Sequence, residues 1–167
     1  AFNGCRNLTE IKMPSKANHI GSGAFNSCKQ LEAIRIPEGV TILYYTTFWD
    51  CNNLKSIILP NSLTTIENGV FVDCDSLSTI TFPDSLVKIG NYTFGYCDAL
   101  DSITIPASVT DIGTEPFGYC NNLKSLQVVE GNPKYDSRDN CNAIIETATN
   151  KMAVGCAATI IPEGITT

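Results

Sequence analysis

The sequence predicts an α/β solenoid: a stack of 23-residue coils, each with one strand and a short helical or 3-10 turn on the outer side. Three observations carry this. Eight residue columns recur every 23 positions without a slip. Within each unit the apolar spacing switches once, from helical to strand-like. A proline then closes the strand at the same place in five units. Self-similarity at such a period is the signature of a repeat array.

Each unit begins with an aromatic column, Phe2, Phe25, Phe48, Phe71, Phe94 and Phe117. Three residues later come Cys5, Cys28, Cys51, Cys74, Cys97 and Cys120, and three after that Leu8, Leu31, Leu54, Leu77, Leu100 and Leu123. Ala24, Phe25, Cys28 and Leu31 fall on one face of a short helical stretch. Ile34 and Ile36 then alternate with Ala33 and Arg35, the period of a half-buried strand. Pro37 lacks the N–H needed to continue a ladder, so the strand ends there. Pro-Glu-Gly, Pro-Asn-Ser, Pro-Asp-Ser and Pro-Ala-Ser are turn signals. A second extended piece, Val-Thr-Ile-Leu or Leu-Thr-Thr-Ile, leads into the next unit. One coil cannot bury its apolar face alone; stacking supplies the partner. Adjacent strands are expected about 4.8 Å apart in one continuous parallel sheet.

The long motif Ile-Pro-x-x-Leu/Val-x-x-Ile-Gly-x-x-x-Phe-x-x-Cys-x-x-Leu resembles the BspA-like (Treponema-type) leucine-rich repeat family over residues 1–128. The resemblance implies a right-handed leucine-rich-repeat stack whose parallel sheet is concave. It also implies a bacterial cell-surface or secreted (extracellular) protein whose array binds or adheres to host or microbial partners. A right-handed parallel β-helix is the alternative architecture.

The rhythm breaks once. Val129 stands where a proline is due, and Ile-Pro returns only at Ile161-Pro162, ten residues beyond two regular periods. The chain therefore divides into regular repeats (1–128), an irregular insertion (129–157) and the start of a further repeat (158–167). Within the insertion, Cys141–Glu146 and Lys151–Cys156 flank Thr147–Asn150 and predict a β-hairpin over about 142–155. Family members carry similar Asn-Pro-x-Tyr and Cys-Asn-Ala-Ile-Ile segments. The insertion reads as a bulge from the stack, with a binding protrusion as the alternative. The chain opens and closes mid-unit without polar caps, which predicts a segment of a longer array and end-to-end self-association.

Composition narrows the functions. With 167 residues, 43% hydrophobic and a net charge of −6, the chain suits one domain or part of one and does not suit nucleic acid as a partner. No apolar run approaches membrane-spanning length. The eight cysteines are never closer than 15 residues, unlike the short pairs of a zinc site, so no metal and no cofactor is expected. Six form one column, read as buried reduced thiols behaving as small hydrophobes, with disulfides inside the column as the alternative. Cys141 and Cys156 fall opposite each other in a symmetric hairpin, where a cross-strand bridge competes with two free thiols.

The lone histidine, His19, occupies a variable column and reads as a surface residue. Asp73, Asp75, Asp98 and Asp101, and Asp136 with Asp139, lack the dense ligand spacing of a calcium loop and read as solvated acidic faces. No catalytic constellation emerges, so a noncatalytic binding scaffold is expected.

Two surfaces are candidates for a protein or glycan ligand. By analogy with leucine-rich repeats, Arg35, Ile58, Thr81, Thr104 and Gln127 line the concave side. Tyr44, Tyr45, Trp49, Tyr96 and Tyr119, with Tyr92 in a comparable place, make an outer aromatic patch. Aromatics anchor interfaces at low entropic cost, and they also simply pack over neighbouring coils. Protein binding on the strand face is favoured; a glycan module using the aromatics and a structural stalk spacer are the alternatives.

Overall fold

The computed structural model describes residues 1–167, and its organising element is the 23-residue register. Strands β1 (Ala33–Arg35) and β3 (Ser56–Ile58) pair in parallel, Ala33 opposite Ser56. The return segments form a second parallel sheet of β2 (Ile42–Leu43), β4 (Thr65–Ile66), β5 (Lys88–Ile89) and β7 (Asp111–Ile112). Further along, β6 (Ser102–Ile105) pairs with β8 (Ser125–Val128), Ser102 opposite Ser125.

Between these sheets the coils bury the repeat columns. Phe25, Phe48, Phe71 and Phe94 are fully enclosed, and successive Phe rings stack with centroids 5.1–5.5 Å apart from Phe2 to Phe117. Offset stacking of aromatic faces adds to the area each ring removes from water. Gly90 shows how tightly coils nest: a Cβ there would lie 2.6 Å from the Asn68 backbone nitrogen.

The expected outer helices are absent; the one helical element is a three-residue 3-10 turn, Arg138–Asn140, in the insertion. The outer segment divides its backbone donors instead. Gly23, Phe25 and Ser27 donate N–H bonds forward to Tyr45, Thr47 and Trp49 of the next coil. Ala24, Asn26 and Cys28 donate back three residues within their own coil. Two left-handed residues per coil make this alternation: Gly23, Thr46, Gly69, Tyr92 and Glu115 in one column, and Gly4, Ser27, Asp50, Asp73, Tyr96 and Tyr119 in the other, with φ between 44° and 74°. Left-handed residues break helical runs, and non-glycine side chains accept that conformation only at a cost.

The continuous strand ladder is also interrupted. Ser78 to Phe82 form no strand: none of their N–H groups, and none of the carbonyls from Thr79 to Phe82, has a backbone partner. Thr-Ile-Thr-Phe has high strand propensity, so the cause lies in packing. Phe82 is the one aromatic in a column otherwise holding Met13, Ile36, Leu59, Ile105 and Val128. Its buried ring meets Phe94 edge-on at 5.9 Å and wedges its strand off both neighbours.

The insertion does not bulge away. β9 (Tyr135–Asp136), β10 (Ala143–Glu146) and β11 (Lys151–Gly155) form an antiparallel sheet in the order β11-β10-β9. Tyr135, Ile144 and Val154 join the same hydrophobic core as the coils. Asn132 Nδ2 donates to the carbonyls of Pro106 and Val109, tying the segment to the preceding coil. Burial of these apolar residues outweighs the freedom a solvated loop would keep.

Candidate functional site

Of the strand-face residues, Arg35, Ile58, Thr81 and Thr104 are exposed, and the interruption at Thr79–Phe82 brings three of them together. On one side of the loosened strand a cleft of about 540 Å³ is lined by Ile58, Leu59, Thr81, Phe82 and Asp84. On the other side a cleft of about 400 Å³ is lined by Thr79, Thr81, Ser102 and Thr104. Thr81 is common to both. Arg35 lies apart, in a depression of about 440 Å³ with Lys12, Met13 and Glu38. Gln127 is committed elsewhere: its Nε2 donates to Asn142 Oδ1 of the insertion at 3.0 Å. Phe82 and Asp84 are the members that column reading missed. The available signal was the size of Phe82, since apolar patterning registers hydrophobicity and ignores volume.

On the outer side Tyr45, Trp49 and Tyr96 do converge, joined by Tyr92, around a groove of about 290 Å³. Tyr45 and Trp49 form one wall; Tyr92 and Tyr96 form the other, two coils away. Gly69, Val72 and Gly95 make the floor, small enough to leave the cleft open. Tyr119 backs the far wall, its ring parallel to Tyr96 at 4.6 Å. Tyr44 does not take part; it is half-buried and packs against the exposed His19 ring, 5.1 Å away. At one end of the groove Asp73 Oδ2 accepts the Trp49 indole N–H at 3.1 Å. Toward the other, Glu67 Oε2 accepts the Tyr45 backbone N–H at 3.0 Å.

The cysteine column is a donor ladder as well as a packing column. Cys28, Cys51, Cys74, Cys97 and Cys120 each donate Sγ–H to the Phe carbonyl of the preceding coil, over 3.0–3.2 Å. Burial pushes the thiols of Cys28 and Cys74 up, and that of Cys51 up to about 12, because a thiolate there would lose its water. Such thiols stay protonated and are poor nucleophiles.

Cys141 and Cys156 are free thiols in this structure, and the symmetric pairing expected of them does not occur. Near the turn the register is Glu146 with Lys151 and Ile145 with Met152, which would carry Cys141 to Cys156. A bulge opposite the Ile144–Ile145 link leaves Ala153 as an extra residue, so Ile144 pairs with Val154 and Ala143 with Gly155. Cys156 Sγ then lies 3.4 Å from the Asn142 carbonyl, and Cys141 points to the Ala143 carbonyl. Asp136 of the insertion's acidic pair is a structural lock: Arg138 and Thr147 hydrogen-bond it, and the Arg138 contact holds its carboxyl below the usual range.

No helix is long and apolar enough to cross a membrane. No curated protein matches the sequence. Among solved structures, a leucine-rich repeat protein of T. pallidum (TpLRR) is 32% identical with a TM-score of 0.65, over 70% of this chain and 56% of its own. One from Bacteroides ovatus is 35% identical with a TM-score of 0.58, over 78% of this chain and 39% of its own. A leucine-rich cell surface protein of Faecalibacterium prausnitzii is 26% identical with a TM-score of 0.64, over 84% and 44%. The chain thus spans about half or less of the length of these relatives. The family model described as "BspA type Leucine rich repeat region" matches six copies over residues 1–137. Coil register, phenylalanine and cysteine ladders and this match agree, and the chain belongs to the BspA-type leucine-rich repeat family.

Proposed function

We propose that this chain is a noncatalytic, protein-binding segment of a bacterial cell-surface adhesin, which takes its partner on the strand face around Ile58, Thr81 and Thr104. The observation that carries this reading is the interrupted strand. It leaves unpaired N–H and C=O groups between two clefts, lined by the outward columns that leucine-rich repeats present on their concave side. Backbone groups with no intramolecular partner favour a polypeptide, whose own backbone can complete them. The cell-surface location draws on the F. prausnitzii relative. Right-handed coiling belongs to the same reading and is supported by the strong bias of strand–crossover–strand units toward that hand.

The test is a panel of purified extracellular proteins passed over the immobilised chain, followed by Thr81→Glu. The expected result is a binder whose signal Thr81→Glu removes while leaving thermal stability unchanged. A panel with no binder, or binding indifferent to Thr81→Glu, would overturn the assignment. Self-association of the chain belongs to the same proposal and predicts a sedimentation coefficient that rises with concentration.

A further inference from the structure

We infer that the outer aromatic groove is a second docking site, taking an arginine-bearing basic segment of a polypeptide. This is independent of the strand-face reading, because the groove lies on the other side of the coils.

The groove pairs two chemistries. Its walls are four aromatic side chains, Tyr45, Trp49, Tyr92 and Tyr96, each 36–52% exposed. They stand two coils apart, about 10 Å at the spacing of stacked strands. That gap admits one planar group between the walls. Tyr96 lies flat against Tyr119, so one ring face is already covered and the ring is held in place.

Around this apolar slot the charge left outside ion pairs is negative. Glu67 bonds the Tyr45 wall and Asp73 the Trp49 indole, and Asp75 lies near both Asp73 and Asp98. None of the four forms an ion pair: the five salt bridges of the protein involve Asp50, Glu32, Asp111, Glu146 and Asp136. Asp73 uses Oδ2 on Trp49, Asp75 uses Oδ2 on Asn52, and Asp98 uses Oδ1 on Asn121, so each keeps an oxygen free for an incoming donor. Two cations lie nearby and both are already paired: Lys29 with Asp50 at 3.0 Å, and Lys88, which neighbours Glu67, with Asp111 at 2.7 Å.

Aromatic faces carry negative charge and attract cations, and a carboxylate beside them adds to the same potential. A guanidinium satisfies both at once. It is flat enough to lie against a ring, and its fork of N–H donors suits the free oxygen of Asp73. A lysine ammonium would keep the charge and lose the stacking. A neutral sugar would stack and leave the charge of the four carboxylates uncompensated. An anionic ligand would be repelled.

Trp49 is the only tryptophan in the chain, so its emission reports directly on the groove. The probe is the fluorescein-labelled peptide Gly-Arg-Gly-Arg-Gly-Arg-Gly, with its all-lysine counterpart and chitohexaose as comparisons. With the intact 167-residue chain, the arginine peptide is expected to change Trp49 emission saturably and to raise peptide anisotropy with the same midpoint. Lysine peptide should bind more weakly, and added salt should weaken both. Tyr45→Ala should weaken binding about threefold, the worth of one exposed cation–π contact. Asp73→Asn should weaken it roughly three- to fivefold, an exposed ion pair; asparagine tolerates the left-handed backbone at Asp73, so the fold is kept. Thr81→Glu should leave peptide binding unchanged, which separates this site from the strand face. No saturable Trp49 response, affinity unaltered in both Tyr45→Ala and Asp73→Asn, or a saturable response to chitohexaose alone would each overturn the proposal.

Discussion

Removing one sulfur from the ladder should have different consequences at two adjacent rungs. Cys74 and Cys97 are both fully enclosed, and each donates to the phenylalanine carbonyl of the coil before it, Phe48 at 3.2 Å and Phe71 at 3.1 Å. Their acceptors differ. The Phe71 carbonyl also receives the backbone N–H of Cys74 at 3.3 Å, whereas the Phe48 carbonyl has Cys74 Sγ as its one partner. Alanine at either position forfeits the burial and packing of one sulfur, about 1–1.5 kcal/mol. At position 74 the substitution additionally strands a buried carbonyl, a further penalty of about 1–3 kcal/mol. Cys74→Ala should therefore cost about 2–4.5 kcal/mol and Cys97→Ala about 1–1.5 kcal/mol, because only the first orphans its acceptor. Cys74→Ser keeps a donor at the site and should recover part of the difference. Urea unfolding followed by circular dichroism and by Trp49 emission measures all three, with coincident transitions as the check on two-state behaviour. Equal losses for the two alanine variants would refute the claim that the thiols act as donors and would return the column to simple packing.

Two further outcomes follow from the core. Phe82→Leu restores the residue size of its column and should let Thr79–Thr81 pair with its neighbours. Amides that exchange freely in the parent chain would then open only with about 3 kcal/mol, more than a hundredfold slower in hydrogen exchange. Unchanged exchange in a folded variant would mean that the ring is not the wedge. Alkaline stability should report the buried thiols. The folded Cys51 thiol titrates at about 12, above its ordinary value of 9.0, so its contribution is complete below pH 9 and is lost as pH rises from there toward 12. Chemical denaturation at stepped pH should show stability falling across that window, and a flat profile there would contradict it.

The repeat columns were legible because a solenoid writes its three-dimensional neighbours into a fixed spacing: Phe25, Phe48 and Phe71 stack because they are 23 residues apart. Strand alternation at Ile34 and Ile36 was readable for the same reason. Three features were not. Phe82 satisfies an apolar pattern while violating its volume, so the ladder read as continuous. The left-handed outer turns were signalled by Gly4, Gly23 and Gly69, yet Tyr92, Tyr96 and Glu115 in the same columns carry no such mark, and a helical period was read instead. In the hairpin, one extra residue at Ala153 shifted every partner beyond it, which composition gives no means of seeing. The aromatic groove was half legible. Tyr45, Trp49 and Tyr96 stood out as large residues in variable columns, whereas the floor of Gly69, Val72 and Gly95 became visible only once three coils were stacked.

The bonds that join one coil to the next all run along the axis of the stack, and this has a mechanical consequence. Tension applied along that axis loads the interfaces in series, so the stack yields at its weakest joint first and peels coil by coil. The joints on either side of Thr79–Phe82, lacking their strand bonds, are where rupture should start. Each coil released adds about 80 Å of extended chain, at roughly 3.3–3.6 Å per residue, where it had occupied about 5 Å. Under such a load a stack built this way should lengthen in steps, with the stretch beyond the break still folded while the first coils pay out.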